Sequence, residues 1–169
     1  CGVDPEGRGE HKRYFDVMRA MLFYIDESPE TLHHPKETEL LFPRVAKVAL
    51  ETAEVIAQLD RDHHAGENRV RELVHLLIAW EYLGESRRVA FETAAKAYVG
   101  FYLEHMRQEE AVILPAAERA LSKADWHALN AAFASNQDPL DTRLPRHPQF
   151  GRLFTRIVML APSPVGVGV

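Results

Sequence analysis

Apolar positions along this chain recur at steps of three and four almost throughout, and alternation of period two is hard to find. The spacing therefore predicts an all-α fold. From about residue 10 to 26, His11, Phe15, Met18, Leu22 and Ile25 line one face of a helix. Ser28-Pro29 reads as a break, and a second helix is expected to begin between residues 31 and 35, since proline is tolerated in a first turn where its missing N–H is no loss. Pro43 should kink or stop that helix. From about 46 to 83 the stripe runs through Ile56, Leu59, His63, Gly66, Val70, Leu73 and Leu77. A turn at Gly84-Glu85-Ser86 follows, then a stretch from about 88 to 121 carrying Tyr98, Phe101, His105, Val112 and Ala116 on one face. Four such stripes joined by short connections predict an up-and-down antiparallel four-helix bundle over residues 1–121. Residues 122–169 read as a C-terminal extension packed on it. This comprises a short helix over 122–134 with Ser122 and Asp125 as a capping pair, a Pro/Asp/Arg-rich loop over 137–149, a helical piece over 150–160 and a fraying tail.

Composition narrows what such a bundle does. The 169 residues are 46% hydrophobic and 27% charged, enough to bury one core. A net charge of −5 has the wrong sign for wrapping phosphate backbones or lying on anionic lipid, so neither nucleic acid nor membrane is an expected partner. Apolar runs such as 76–80 are far short of the ~20 residues of a membrane span. The single cysteine, Cys1, leaves no disulfide framework, and a cytoplasmic location is expected. Because the chain starts at Cys1 rather than methionine, some N-terminal sequence is expected to have been lost. The unusual feature is nine histidines.

Two segments repeat. HHPKETELLFP (33–43) and HMRQEEAVILP (105–115) share the pattern His-x3-Glu-x3-apolar-apolar-Pro, with His33, Glu37 and Pro43 matching His105, Glu109 and Pro115. A third His-x3-Glu, His63 and Glu67, lacks the proline. On a helix, residues four apart lie about 5–6 Å apart on one face, so each pair can present an imidazole nitrogen and a carboxylate oxygen to one point. His11, His33, His63 and His105 fall one per predicted bundle helix. Burying the three glutamates without partners would cost on the order of several kcal/mol each. No lysine or arginine occupies the stripes at these levels, so metal ions are the simplest compensation. Imidazole with carboxylate and no thiolate suits iron, manganese or zinc. Four histidines and three glutamates exceed one mononuclear site and match a dinuclear one.

The remaining histidines read differently. His75 and His127 lack a carboxylate partner on a buried face and are taken as ordinary helix residues. His34 and His64 are each rotated by ~100° from a stripe histidine and are taken as flanking groups. Chance surface ion pairs would have to explain the repeat, the face and the count of the main set together.

HHPKE, DHHAGE and HMRQEE, preceded by a histidine in EHKRYFDVM, resemble the hemerythrin-like (HHE cation-binding) family of non-haem di-iron four-helix bundles. The resemblance covers about residues 10–121 and extends weakly through FASNQDPL and FGRLFTRIVMLAP. It implies that His63, Glu67 and His105 ligate one iron and His11 and His33 the other, with Glu37 and Glu109 bridging and an open position for dioxygen. Where the invertebrate oxygen carriers have a histidine, this chain has Glu67, and Glu110 competes with Glu109. A more anionic ligand set favours the ferric state and metal exchange. The ferritin-like alternative wants Glu-x-x-His on two helices. Glu30 and Glu72 precede His33 and His75 at that spacing, but Glu30 falls in the expected loop and His75 points off the stripe.

Three functions are compatible with this reading. One is a di-iron module that binds dioxygen or a related small ligand (nitric oxide, peroxide) for sensing, storage or delivery. The second is a di-iron oxidase or peroxidase using the glutamates as proton acceptors. The third is an iron-responsive interaction protein ordered by its metal. No second redox site is evident, which favours binding over turnover. Two iron ions, oxo- and carboxylate-bridged, are the expected cofactor, with zinc or manganese as substitutes. No covalent nucleophile or phosphate-binding loop is present.

Overall fold

The computed structural model describes the backbone of residues 6–134, 136, 148–161 and 167, with the side chains of all of these except 6–11 and 148–150. The described residues are helical almost throughout and contain no strand, the all-α class that the spacing predicts. The loop over 137–149 and most of the tail lie outside the described residues.

The break expected at Ser28-Pro29 does not occur. Helix α1 (Glu6–Ile25) passes directly into a π-helical segment π1 (Asp26–His33), then α2 (His34–Lys36), π2 (Glu37–Leu41) and α3 (Phe42–Val48). The first two expected helices are therefore one continuous helical run. In an α-helix, an interior proline loses the bond to residue i−4 and its ring meets that carbonyl. Widening the ladder to i→i+5 bonds takes that acceptor from beneath the ring, and the chain stays helical through Pro29. Pro43 neither stops nor breaks the helix, because it falls in the first turn of α3 immediately after π2.

The next helix, α4 (Ala53–Leu83), returns antiparallel along this run after a turn in which Thr52 Oγ1 donates to Ala49 O over 2.7 Å. Trp80 near its end stacks edge-on with Phe15 near the start of the first run, their ring centres 5.0 Å apart. Gly84, at φ +88°, closes α4 in a backbone conformation that side-chain-bearing residues rarely adopt. Helix α5 (Arg88–Gln108) then runs antiparallel to α4 and continues through π3 (Glu109–Ile113) into α6 (Leu114–Ala120). Helix α7 (Lys123–Ala134) opens on the expected capping pair: Asp125 N–H donates to Ser122 Oγ and Ser122 N–H to Asp125 Oδ2, each over 3.1 Å. Helix α8 (Pro148–Leu160) packs on α1.

Two apolar clusters form the core. One joins Phe15 and Leu22 to Val70, Leu73, Leu77, Trp80 and Phe91; the other joins Leu41, Phe42 and Val45 to Leu59, Ile113, Ala116 and Leu129. On each of the three long runs, the buried histidines and glutamates fall in the stretch between these clusters. Among the described residues, no helix is long and apolar enough to cross a membrane.

Candidate metal centre

The repeated motif is a repeated backbone device. Glu37 opens π2, and its carbonyl accepts from Phe42 N–H; Glu109 opens π3, and its carbonyl accepts from Leu114 N–H. Each π turn ends against a proline at the start of the next α segment, Pro43 or Pro115. The π turns thus place the carboxylates at wide points of otherwise α-helical stretches, a feature common at functional sites. The side chains match too. His33 Nε2 lies 3.0 Å from Glu37 Oε1, and His105 Nε2 lies 3.0 Å from Glu109 Oε1.

His34, Glu37, His63 and His105 are buried and each offers a ligand atom, all within 4.8 Å of one another. Ligands on opposite sides of a first-row metal lie about 4 Å apart, twice a ~2.1 Å bond, so the group has the dimensions of a coordination sphere. Its polar atoms are not satisfied internally. Glu37 Oε2, His63 Nε2, both ring nitrogens of His105 and Glu109 Oε1 are buried without a hydrogen-bond partner. Glu37 Oε2 and His63 Nε2 nevertheless face each other across 3.4 Å. Buried groups this close, and without hydrogen-bond alignment, leave lone pairs for a shared cation. The arrangement fits a metal site of nitrogen and oxygen donors.

Carboxylates behind the rings set which nitrogen faces inward. His34 Nδ1 donates to Glu30 Oε2 over 3.1 Å, and Glu30 Oε1 accepts from Tyr98 Oη over 3.3 Å. His63 Nδ1 donates to Thr38 Oγ1 over 2.9 Å, and Thr38 in turn donates to Asp60 Oδ1 over 3.0 Å. Asp62 Oδ2 stands 3.9 Å from His105 Nδ1. Each ring therefore has a carboxylate on its Nδ1 side, for His63 through the Thr38 hydroxyl, which leaves Nε2 of His34 and His63 as the nitrogen open to a metal. His34 and His63 stack nearly parallel, 4.3 Å apart. Gly66 makes room for Glu30, because a Cβ there would stand 2.9 Å from Glu30 Oε1.

The charges respond to this crowding. Burial pushes the Glu37 carboxyl up, but His33 and His63 beside it outweigh burial and hold it down at about 2. Burial pushes the His105 imidazole down, and the facing Glu109 carboxylate more than reverses that. Burial, reinforced by Glu30, Glu109 and Glu37, pushes the Tyr102 phenol up and keeps it a neutral donor.

Of the residues singled out from sequence, the structure brings together His33, Glu37, His63, His105 and Glu109. His33 is the most open of these, its side chain 43% exposed. Glu67 lies apart: it is 41% exposed and paired with Arg71 at 3.1 Å. His11 belongs to α1, but its side chain lies outside the described residues. His64, His75, His127 and Glu110 are exposed. His34, read from sequence as a flanking group, has its ring in the middle of the cluster. The reason is π1: an i→i+5 segment just before it shifts the helical register, so the inward position counted at 33 on α-helical spacing passes to 34. Glu30, assigned from sequence to a loop, is helical and buried, and it partners His34 rather than His33. The Glu-x3-His spacing of Glu30 and His34 is the signal that could have identified both.

No curated protein and no solved structure matches the chain. The family model "Hemerythrin HHE cation binding domain" matches residues 4–117, which span both proline-terminated His-x3-Glu motifs and all four buried residues of the cluster. The chain belongs to this hemerythrin HHE cation-binding family.

Proposed function

We propose that the chain is a non-haem di-iron protein that binds dioxygen or a related small ligand for sensing, storage or delivery. The observation carrying this reading is the set of buried, unpartnered donor atoms on Glu37, His63, His105 and Glu109. With His34 beside them, they supply a nitrogen- and oxygen-rich sphere on which the two matched carboxylates converge. Glu37 has His33 against one oxygen and His63 against the other, so each of its oxygens could be shared with a cation beside those rings. Bound iron would supply the affinity for dioxygen. The protein's own part is to hold the imidazoles in one tautomer through Glu30 and Thr38, and to exclude water with the apolar clusters above and below.

The bundle reading belongs with this proposal. The run from α1 to α3, then α4, then α5 to α6 make three columns, alternating in direction. The spacing predicts all four bundle helices within residues 1–121; with only three columns there, α7 and α8, which pack on the first run, would supply the fourth.

The deciding experiment loads chelator-stripped protein with ferrous iron without oxygen, counts bound iron, then admits air and follows the near-ultraviolet spectrum before and after azide. Two irons per chain, an oxo-bridge band and an azide-shifted spectrum are expected. No bound iron refutes the metal reading. A spectrum insensitive to oxygen and azide refutes the small-ligand reading.

A further inference from the structure

A cavity of about 400 Å³ lies against the carboxylates of Glu37 and Glu109. A diatomic molecule needs a small fraction of that space, whereas organic ligands occupy cavities of roughly 300–1,000 Å³. Its lining is mixed: His33, Glu37 and Glu109 bring polar groups to it, and Met106, Ile113, Trp126, Leu129 and Phe133 bring a larger apolar wall.

Trp126, Leu129 and Phe133 belong to α7, which lies beyond the residues matched by the family model. Helix α7 is fastened in place over the centre. Leu129 is buried in the core cluster with Ile113, Arg44 lies 3.7 Å from Asp125, and Phe133 meets the His33 ring edge-on at 5.4 Å. Just past the helix end, the Asn136 side chain accepts from Lys36 and places its amide nitrogen 3.3 Å from His33 Nδ1. A segment outside the family domain therefore walls an apolar chamber onto the metal-binding carboxylates.

We propose that this chamber binds a monocarboxylic acid with an apolar tail, its carboxylate held through the cation that Glu37 and Glu109 bind and its tail between Met106 and α7. The inference rests on the metal reading above. No lysine or arginine among the described residues lines the cavity, while Glu37, Glu109 and Glu110 do. An anionic head is repelled by the bare carboxylates and is accepted where a cation held by Glu37 and Glu109 offers it an open coordination position. Acid binding and metal binding are therefore coupled, each strengthening the other by the same factor.

Calorimetric titration of the full chain, zinc-loaded and metal-free, with octanoate, acetate and octylamine tests this. Zinc-loaded protein should bind octanoate saturably. Affinity should rise about fourfold per methylene from acetate upward, and metal-free protein should not bind octanoate. Met106 is partly exposed and outside the cluster of donor atoms, so Met106→Trp fills the chamber without touching a ligand atom. It should weaken octanoate at least tenfold at unchanged zinc stoichiometry. Trp126 fluorescence should respond to octanoate, and Trp126→Phe should abolish the response. If zinc binds but octanoate is as weak as acetate, or is unaffected by Met106→Trp, the inference is overturned and the metal reading stands. Octylamine binding to metal-free protein more tightly than octanoate binds the zinc form also overturns it. If neither zinc nor ferrous iron binds, both readings fall; if iron alone binds, iron-loaded protein that fails to bind octanoate overturns the inference and leaves the metal reading standing.

Discussion

Replacing Glu30 by glutamine separates charge from shape at the support of the centre. Glu30 has a side chain only 1% exposed and holds His34 Nδ1 at 3.1 Å and the Tyr98 hydroxyl at 3.3 Å. The amide of Glu30→Gln can keep both contacts, its oxygen accepting from His34 and its NH2 donating to Tyr98 Oη, so the fold should survive. What disappears is the negative charge behind the imidazole. A hydrogen bond to a charged group contributes about 1.5–3 kcal/mol and a neutral one about 0.5–1.5 kcal/mol. The midpoints differ by about 1.25 kcal/mol, roughly eightfold in an equilibrium constant. Loss of such outer partners typically lowers metal affinity about 10–100-fold, so the expected weakening lies toward the lower end of that range. Glu30→Ala should do more, because it strands two buried polar groups at about 1–3 kcal/mol each, and it should destabilise the metal-free protein as well. Competition against a chelator of known affinity, with thermal unfolding of the metal-free proteins alongside, reads both effects. An unchanged metal affinity in Glu30→Gln would show that His34 is not a ligand supported by this carboxylate, and the cluster would have to be redrawn around His33.

Three further outcomes follow from the same geometry. Gly66→Ala gains about 1 kcal/mol of helix propensity, yet its Cβ would stand 2.9 Å and 3.0 Å from the two Glu30 oxygens; it should lower metal affinity, and much less so in a Glu30→Ala background, whereas additive effects in that double-mutant cycle would refute the contact. Glu67→Ala should cost at most about 1 kcal/mol, as expected for its exposed pair with Arg71, and leave metal content intact while Glu109→Ala reduces it; loss of an ion from Glu67→Ala would restore Glu67 to the ligand set. Metal-free protein should show opposed pH dependences. Glu37 is depressed from 4.5 to about 2, so its contribution is present above pH ~4.5 and fades as pH falls through its folded value, whereas His105 is raised above 6.5, so its contribution is present below that and fades as pH rises through its folded value. Melting temperatures of chelator-treated protein should therefore fall as pH rises above 6.5, and a rise there would refute the assignment.

The parts of the site legible in sequence were those that α-helical periodicity can express. Leu59, His63, Gly66, Val70, Leu73 and Leu77 are buried on one face of α4 as their spacing requires, because α4 has no π turn to disturb the count. The first run is different. Its prolines look like breaks to a rule that knows only α-helices, and the chain answers with π1 and π2, so Glu30 and His34 moved inward while the pattern still pointed to His33. The repeat was visible as residues but not as backbone. In both copies of His-x3-Glu-x3-apolar-apolar-Pro the glutamate opens a π turn that ends against the proline, and both His–Glu pairs stand at 3.0 Å. Pro43→Ala and Pro115→Ala each restore an N–H and remove the ring that disfavours an ordinary α turn, so the π turn before each proline loses its obligation to form. If the π geometry is what aims Glu37 and Glu109, the variants should be as helical and as stable as the parent, or more so, while binding metal more weakly. Unchanged metal affinity in both variants would mean that the centre, and not the proline, holds the π turns open.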